Sequence, residues 1–112
     1  MRKVLMKADN DNVATALEDI KVGDMVKVLS YKNEVIDEFK AYEPIPFGNK
    51  IAVRDILEKS EIIKCGYKIG LSLKVINKGQ FVHVHNVESE KVNFPPSIVK
   101  EILRQMGREE EK

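Results

Sequence analysis

The chain has no tryptophan, a single cysteine, two histidines and four prolines in 112 residues. A lone cysteine, Cys65, excludes a disulfide within the chain and suits a reducing compartment. Neither sign of charge is in excess: 19 Lys and Arg stand against 18 Asp and Glu, a formal net charge of +1. With the lysines scattered rather than massed, no nucleic-acid partner is expected. No apolar run approaches the ~18 residues of a membrane span. The opening MRKVLMKADNDN turns charged too soon to read as a secretory leader, so a cytoplasmic setting is expected. What remains is a length that predicts one domain with a modest core, small for an enzyme with a deep cleft of its own.

Both histidines fall in one short run, FVHVHNVES, over 81–89. Alternation at period two predicts a strand with Phe81, His83, His85 and Val87 on one face and Val82, Val84 and Asn86 on the other. Imidazoles two residues apart on a strand are roughly 6.5–7 Å apart at the backbone, near enough to share a metal ion or an anionic ligand. The alternative is two partly buried histidines bonded to neighbouring carbonyls.

Three segments share a pattern: ALEDIKVGDMVKV (16–28), AVRDILEKSEIIKC (52–65) and SLKVINKGQFVHV (72–84). Each runs to an isoleucine (Ile20, Ile56, Ile76), passes a turn (Val22-Gly23-Asp24, Lys59-Ser60-Glu61, Lys78-Gly79-Gln80) and enters an alternating strand. The second copy reads as carrying one extra residue before its turn. The spacing is too uneven for a solenoid and predicts local strand–turn–strand units in a small β structure. β-Branched runs such as MVKVLSY, punctuated by Gly23, Gly48, Gly66, Gly70 and Gly79, agree. NVATALEDI could form a helical stripe capped by Asn12, but the repeat favours a strand ending in a tight turn. One helix is predicted, PPSIVKEILRQMG, with Ile98, Val99, Ile102, Leu103 and Met106 as its apolar stripe and Gly107 as its stop. The expected division is a β domain over 1–94, then a helix and frayed charged tail over 95–112.

Four separated stretches, DNV (11–13), EPIPFGNKIAVRDI (43–56), IIKCGYKIG (62–70) and FVHVHNVES (81–89), resemble the small N-terminal domain of the altronate/galactarate dehydratase family, which includes sulfolactate sulfo-lyases. The resemblance covers roughly residues 9–90, in the family's order. It implies a SAF-type β-clip domain, mainly β, related to type III antifreeze protein. It also implies a lyase that removes water or sulfite from a hydroxylated acid, with a divalent metal as cofactor: iron(II) first, manganese or magnesium as alternatives. The chain then reads as a separate small subunit, inactive without a large dehydratase subunit and acting on a sugar acid such as altronate or galactarate; self-association is left open. Family members commonly read Gly-His-Lys where this chain has Gly48-Asn49-Lys50, and an amide cannot transfer a proton near neutrality.

Under this resemblance His83 and His85 are the candidate catalytic residues and metal ligands, imidazole being a suitable donor for iron(II) or manganese. Gly48, Asn49, Lys50 and Asn86 are the candidate substrate contacts, with Lys50 facing a carboxylate. The competing reading of PIPFGNK is a surface loop shaped by its prolines and glycine. Asp9, Asn10, Asp11 and Asn12 could ligate a hard cation or could form a solvated turn with side chains bonding to the backbone. Cys65 is expected to be a buried, inert thiol in a strand. Beside the hydro-lyase reading stand a sulfo-lyase small subunit, a non-catalytic sugar-acid-binding module and a structural adaptor.

Overall fold

The computed structural model describes residues 1–89; the helix expected over 95–107 lies outside them. The described part is all β, as expected, in nine strands: β1 (Arg2–Met6), β2 (Val13–Ala16), β3 (Met25–Ser30), β4 (Val35–Lys40), β5 (Lys50–Ala52), β6 (Glu61–Lys64), β7 (Tyr67–Ser72), β8 (Phe81–Val82) and β9 (Val87–Ser89). Six strands form one sheet in the order β4-β3-β1-β2-β5-β8, and three form another, β6-β7-β9. β1 and β3 run parallel, and the other pairs are antiparallel. NVATALEDI is a strand leading to a turn, because Val13, Ala14 and Ala16 are all needed in the core.

The repeat is real and has four copies rather than three. The fourth is AYEPIPFGNK, centred on Ile45. Ile20 and Ile45 exchange backbone hydrogen bonds, both at 2.9 Å, and Ile56 and Ile76 do the same at 2.7 and 2.8 Å. All four isoleucines are buried, two in each of two apolar clusters. Each contributes about 1.5–3 kcal/mol relative to exposure. The turn three residues later has positive φ in every copy, at Gly23, Gly48, Lys59 and Gly79. The turn N–H then donates to the partner copy: Gly23 to Ala41, Gly48 to Ala16, Lys59 to Ser72 and Gly79 to Ala52, each at 2.9 Å. The Ile20 and Ile45 copies thus close each other, as do the Ile56 and Ile76 copies.

This corrects one reading. The copy centred on Ile56 has no extra residue; β6 begins at Glu61, five after Ile56, as β3 begins five after Ile20. The shift arose because Lys59, at φ 66°, holds the place that glycine holds elsewhere. PIPFGNK runs through one of these turns, with Gly48 at a φ of 85° and open space beside it.

The DNDN segment ties the two sheets together. Asp11 is buried, and its carboxylate accepts backbone N–H groups from Lys7 (3.3 Å), Ala8 (3.1 Å), Cys65 (3.0 Å) and Gly66 (2.8 Å). Asn12 donates to the Glu61 carbonyl and accepts from the Ile63 N–H, both at 2.8 Å, mimicking a strand partner for β6. With its oxygens so occupied, Asp11 is a backbone clamp, buried and reaching a distant hairpin rather than lying in a solvated turn. Cys65 is not in a strand: with Gly66 it forms the two-residue loop joining β6 to β7, both at positive φ, and it is partly exposed.

Candidate functional site

The predicted strand over 81–87 stops at Val82. Asn86 is the cause. Its amide oxygen accepts the His83 N–H at 2.9 Å and its amide nitrogen donates to the Phe81 carbonyl at 2.7 Å. Its own N–H donates to the His83 carbonyl at 3.0 Å, closing a turn over 83–86. The chain crosses here from β8 in one sheet to β9 in the other, and Leu73 N–H seals the crossing with a 2.8 Å bond to the Asn86 carbonyl. Asn86 is buried, with its side-chain bonds directed at the backbone. Val84 is pushed out into solvent rather than alternating inward.

The turn nevertheless gathers both imidazoles on one phenyl ring. His83 stacks on Phe81 with centroids 5.3 Å apart and planes within 6°, and His85 tilts at 42° with centroids 5.5 Å apart. Phe81 packs on the first apolar cluster. Its N–H donates to Glu43 Oε1 at 2.7 Å. His83 is partly buried and His85 exposed, so both are within reach of a ligand at the sheet edge formed by β8.

The GNK motif arrives at the same edge. β5 and β8 pair Lys50 with Val82 and Ile51 with Phe81. Asn49 and His83 are the residues that follow just beyond this ladder, two from Ile51 and two from Phe81. Asn49 bends its amide nitrogen back to the carbonyls of Pro46 (3.2 Å) and Phe47 (3.4 Å). Lys50 takes the opposite face, with Val82 and Ala52 of the second cluster. The GNK motif and the histidine turn thus flank one short ladder, with the Lys50 side chain on the face opposite Phe81.

On that reverse side Lys50 is largely buried, and its ammonium is pushed down from 10.5 to about 8, first by desolvation and then by the positive charge of Lys64. Lys64 is itself 7% exposed. Two residues escaped the sequence reading. Glu43 heads the EPIPFGNK stretch but gives no local sign of its bond to Phe81; Lys64 is one lysine among many, and only its inward place in β6 sets it apart.

Among the described residues no group of three or more His, Cys, Asp or Glu side chains gathers that could hold a metal ion. Two imidazoles leave a site short of donors, so a metal bound to His83 and His85 would take its other ligands from elsewhere. Among the same residues no helix is long and apolar enough to cross a membrane.

Four motifs of one family thus meet in one small two-sheet domain, and comparison with known proteins bears on which. The altronate/galactarate dehydratase SAF domain matches residues 2–90. The chain belongs to that family. The SAF domain here is 31% identical over 88 residues to the (2R)-sulfolactate sulfo-lyase subunit alpha of Chromohalobacter salexigens, covering 79% of this chain and 94% of that one. It is 34% identical over 89 residues to the altronate dehydratase of Bacillus subtilis, covering 80% of this chain and 17% of that enzyme. Against the altronate dehydratase of Escherichia coli the identity is 35% over 79 residues, 70% of this chain and 15% of the enzyme. The chain thus spans nearly all of the first relative and a small fraction of the other two.

Proposed function

We propose that this SAF domain is the small subunit of a lyase that expels sulfite from a hydroxylated sulfonic acid, working with a separate large subunit. The observation that carries this is the match across 94% of a relative named as a sulfo-lyase alpha subunit. An alpha subunit implies a partner, and a 112-residue chain with its histidines at a sheet edge offers half a site rather than a closed one.

In such an elimination a base removes the proton on the carbon bearing the hydroxyl and carboxylate. The electron pair of that C–H bond becomes the new C=C, and the C–S bond breaks with its pair leaving on sulfite. The enol so formed passes its O–H proton to solvent while the former sulfonate carbon takes one up, giving a 2-keto acid. His83 is the base in this proposal: its ring is held flat on Phe81, and its backbone is fixed by Asn86, so its orientation is set before substrate arrives. His85, exposed beside the same ring, returns the proton to carbon. Asn49, at the position where relatives commonly carry histidine, contributes a polar contact and no proton transfer.

A second reading is a hydro-lyase acting on altronate or galactarate, in which hydroxide replaces sulfite as the leaving group. It is favoured by the altronate dehydratase matches. The test is to combine the chain with a large lyase subunit of the family and offer sulfolactate, altronate and galactarate in turn. Sulfite release from sulfolactate, needing both chains, supports the first reading. Dehydration of a sugar acid with no sulfite release supports the second, and turnover by the large subunit alone overturns both.

A further inference from the structure

One face of the six-stranded sheet carries Val4, Ala16 and Val28 of the first apolar cluster. On the other face, register sets Val35, Leu29, Leu5, Thr15, Lys50 and Val82 in one row across β4, β3, β1, β2, β5 and β8. The smaller sheet covers the β2-β5-β8 end of that row. It supplies Ile62 and Ile69 to the cluster that holds Val13, Ala52 and Val82, and it meets the larger sheet at β2 through β6. β1 and β3 give no residue to this second cluster. Yet Leu29 on β3 is 9% exposed and Leu5 on β1 is partly buried, while Val35 at the rim is 50% exposed. Neither apolar cluster of the described residues includes Leu29 or Leu5. A leucine shielded this far needs an apolar neighbour over β1 and β3 beyond what those clusters supply.

We infer that the chain's own segment over 98–106 is that neighbour, with its stripe of Ile98, Val99, Ile102, Leu103 and Met106 laid across Leu5 and Leu29. The stripe has helical spacing, and a helix this short draws its stability from packing one apolar face. The chain leaves β9 on the correct side of the larger sheet, since Val87 packs against the second cluster. Four strand spacings separate β8 from β3, ~19 Å, and the stretch from Ser89 to Ile98 can span ~30 Å when extended. Tethering favours this occupant over a second copy or another protein, because it holds the segment at an effective concentration of ~mM. The neighbouring row, Lys3, Lys27 and Glu38, is charged and bounds the patch. Docked there, the segment lies on the sheet face opposite Phe81, and its placement holds whatever reaction the chain serves.

The test is a methyl NOE spectrum of the full chain with its Ile, Leu and Val methyls labelled. Leu5 and Leu29 should show contacts to Ile98, Val99, Ile102 or Leu103, and none of these should appear between differently labelled chains in a mixture. Ile102→Ser should weaken the contacts and cut amide-exchange protection over 98–106 by about ten-fold or more. Arg104→Ser, opposite the stripe, should change that protection by less than about two-fold. Leu29→Ser should release the same amides while the Ile20–Ile45 and Ile56–Ile76 hydrogen bonds stay protected. No contact from the stripe to Leu5 or Leu29 overturns the docking. Contacts found only between differently labelled chains make a second copy the occupant, and contacts to Leu5 and Leu29 found only from an added large subunit make that subunit the occupant; either result overturns docking within one chain. Equal release by Arg104→Ser and Ile102→Ser overturns the stripe as the docked face.

Discussion

The imidazole of His83 lies on the ring of Phe81 at 5.3 Å, with the planes within 6° of parallel. Neither alternation nor metal geometry creates this stack. It results from Asn86, which ends β8 early and turns the chain back so that both histidines fall against a phenyl ring already held at its N–H by Glu43. Phe81→Leu should keep the domain folded, with a loss of about 1 kcal/mol from the stack, and should lower assembled activity by loosening His83. Thermal melting of the small chain and turnover of the complex together check it. Full activity in Phe81→Leu would show that the stack does not orient the base.

Asp11→Ala should be among the most damaging single changes to the fold. The carboxylate serves four backbone N–H groups from two separate loops, and their loss strands buried donors at about 1–3 kcal/mol each before relaxation. A loss of about 3–5 kcal/mol in denaturant unfolding is expected. Asp11→Asn, which retains one acceptor oxygen, should lose less. Equal stability of Asp11→Ala and wild type would remove the clamp from the account.

Lys59→Gly should stabilise the chain. Its φ of 66° is the conformation that three equivalent turns assign to glycine, and a side chain there costs about 1 kcal/mol. The gain should show as a higher unfolding midpoint at unchanged slope. Gly79→Ala is the reciprocal change and should be harmful, since a Cβ would meet the Lys40 carbonyl at 2.6 Å and the Tyr42 ring at 2.9 Å.

Stability should also climb with alkaline pH. Lys50 titrates at about 8 when folded and at the ordinary 10.5 when unfolded, so between those values the unfolded chain binds more protons. The penalty for burying its charge is fully present below about 8 and is relieved as pH rises towards 10.5. Lys50→Met should therefore stabilise the chain at neutral pH by about 2 kcal/mol and flatten the slope above pH 8. A wild-type profile that falls steadily from pH 8 to 10 would contradict this.

Much of the scaffold could be read from residue order because its determinants are local. Ile20, Ile56 and Ile76 with their turns announced a repeated unit, and MVKVLS announced β3. The fourth copy was hidden by Tyr42, Pro44 and Pro46, which keep the backbone path but not the residue pattern. Lys59 disguised a glycine position, and Cys65 disguised a hairpin loop that ordinarily carries Asn-Gly. The site was harder to read because its determinants are non-local. The histidines were visible as a pair, yet an alternating strand was the wrong frame, since a side-chain amide from Asn86 replaces the ladder. That Lys50 takes the face opposite Phe81 depends on which strands pair and on which face each cluster fills.

The most direct measurement is the rate of sulfite release from sulfolactate by the assembled complex with His83→Asn in the small chain. Removing the proposed base should slow turnover by about 10²-fold or more while leaving subunit association intact. An unchanged rate with a correctly assembled His83→Asn complex would contradict the account.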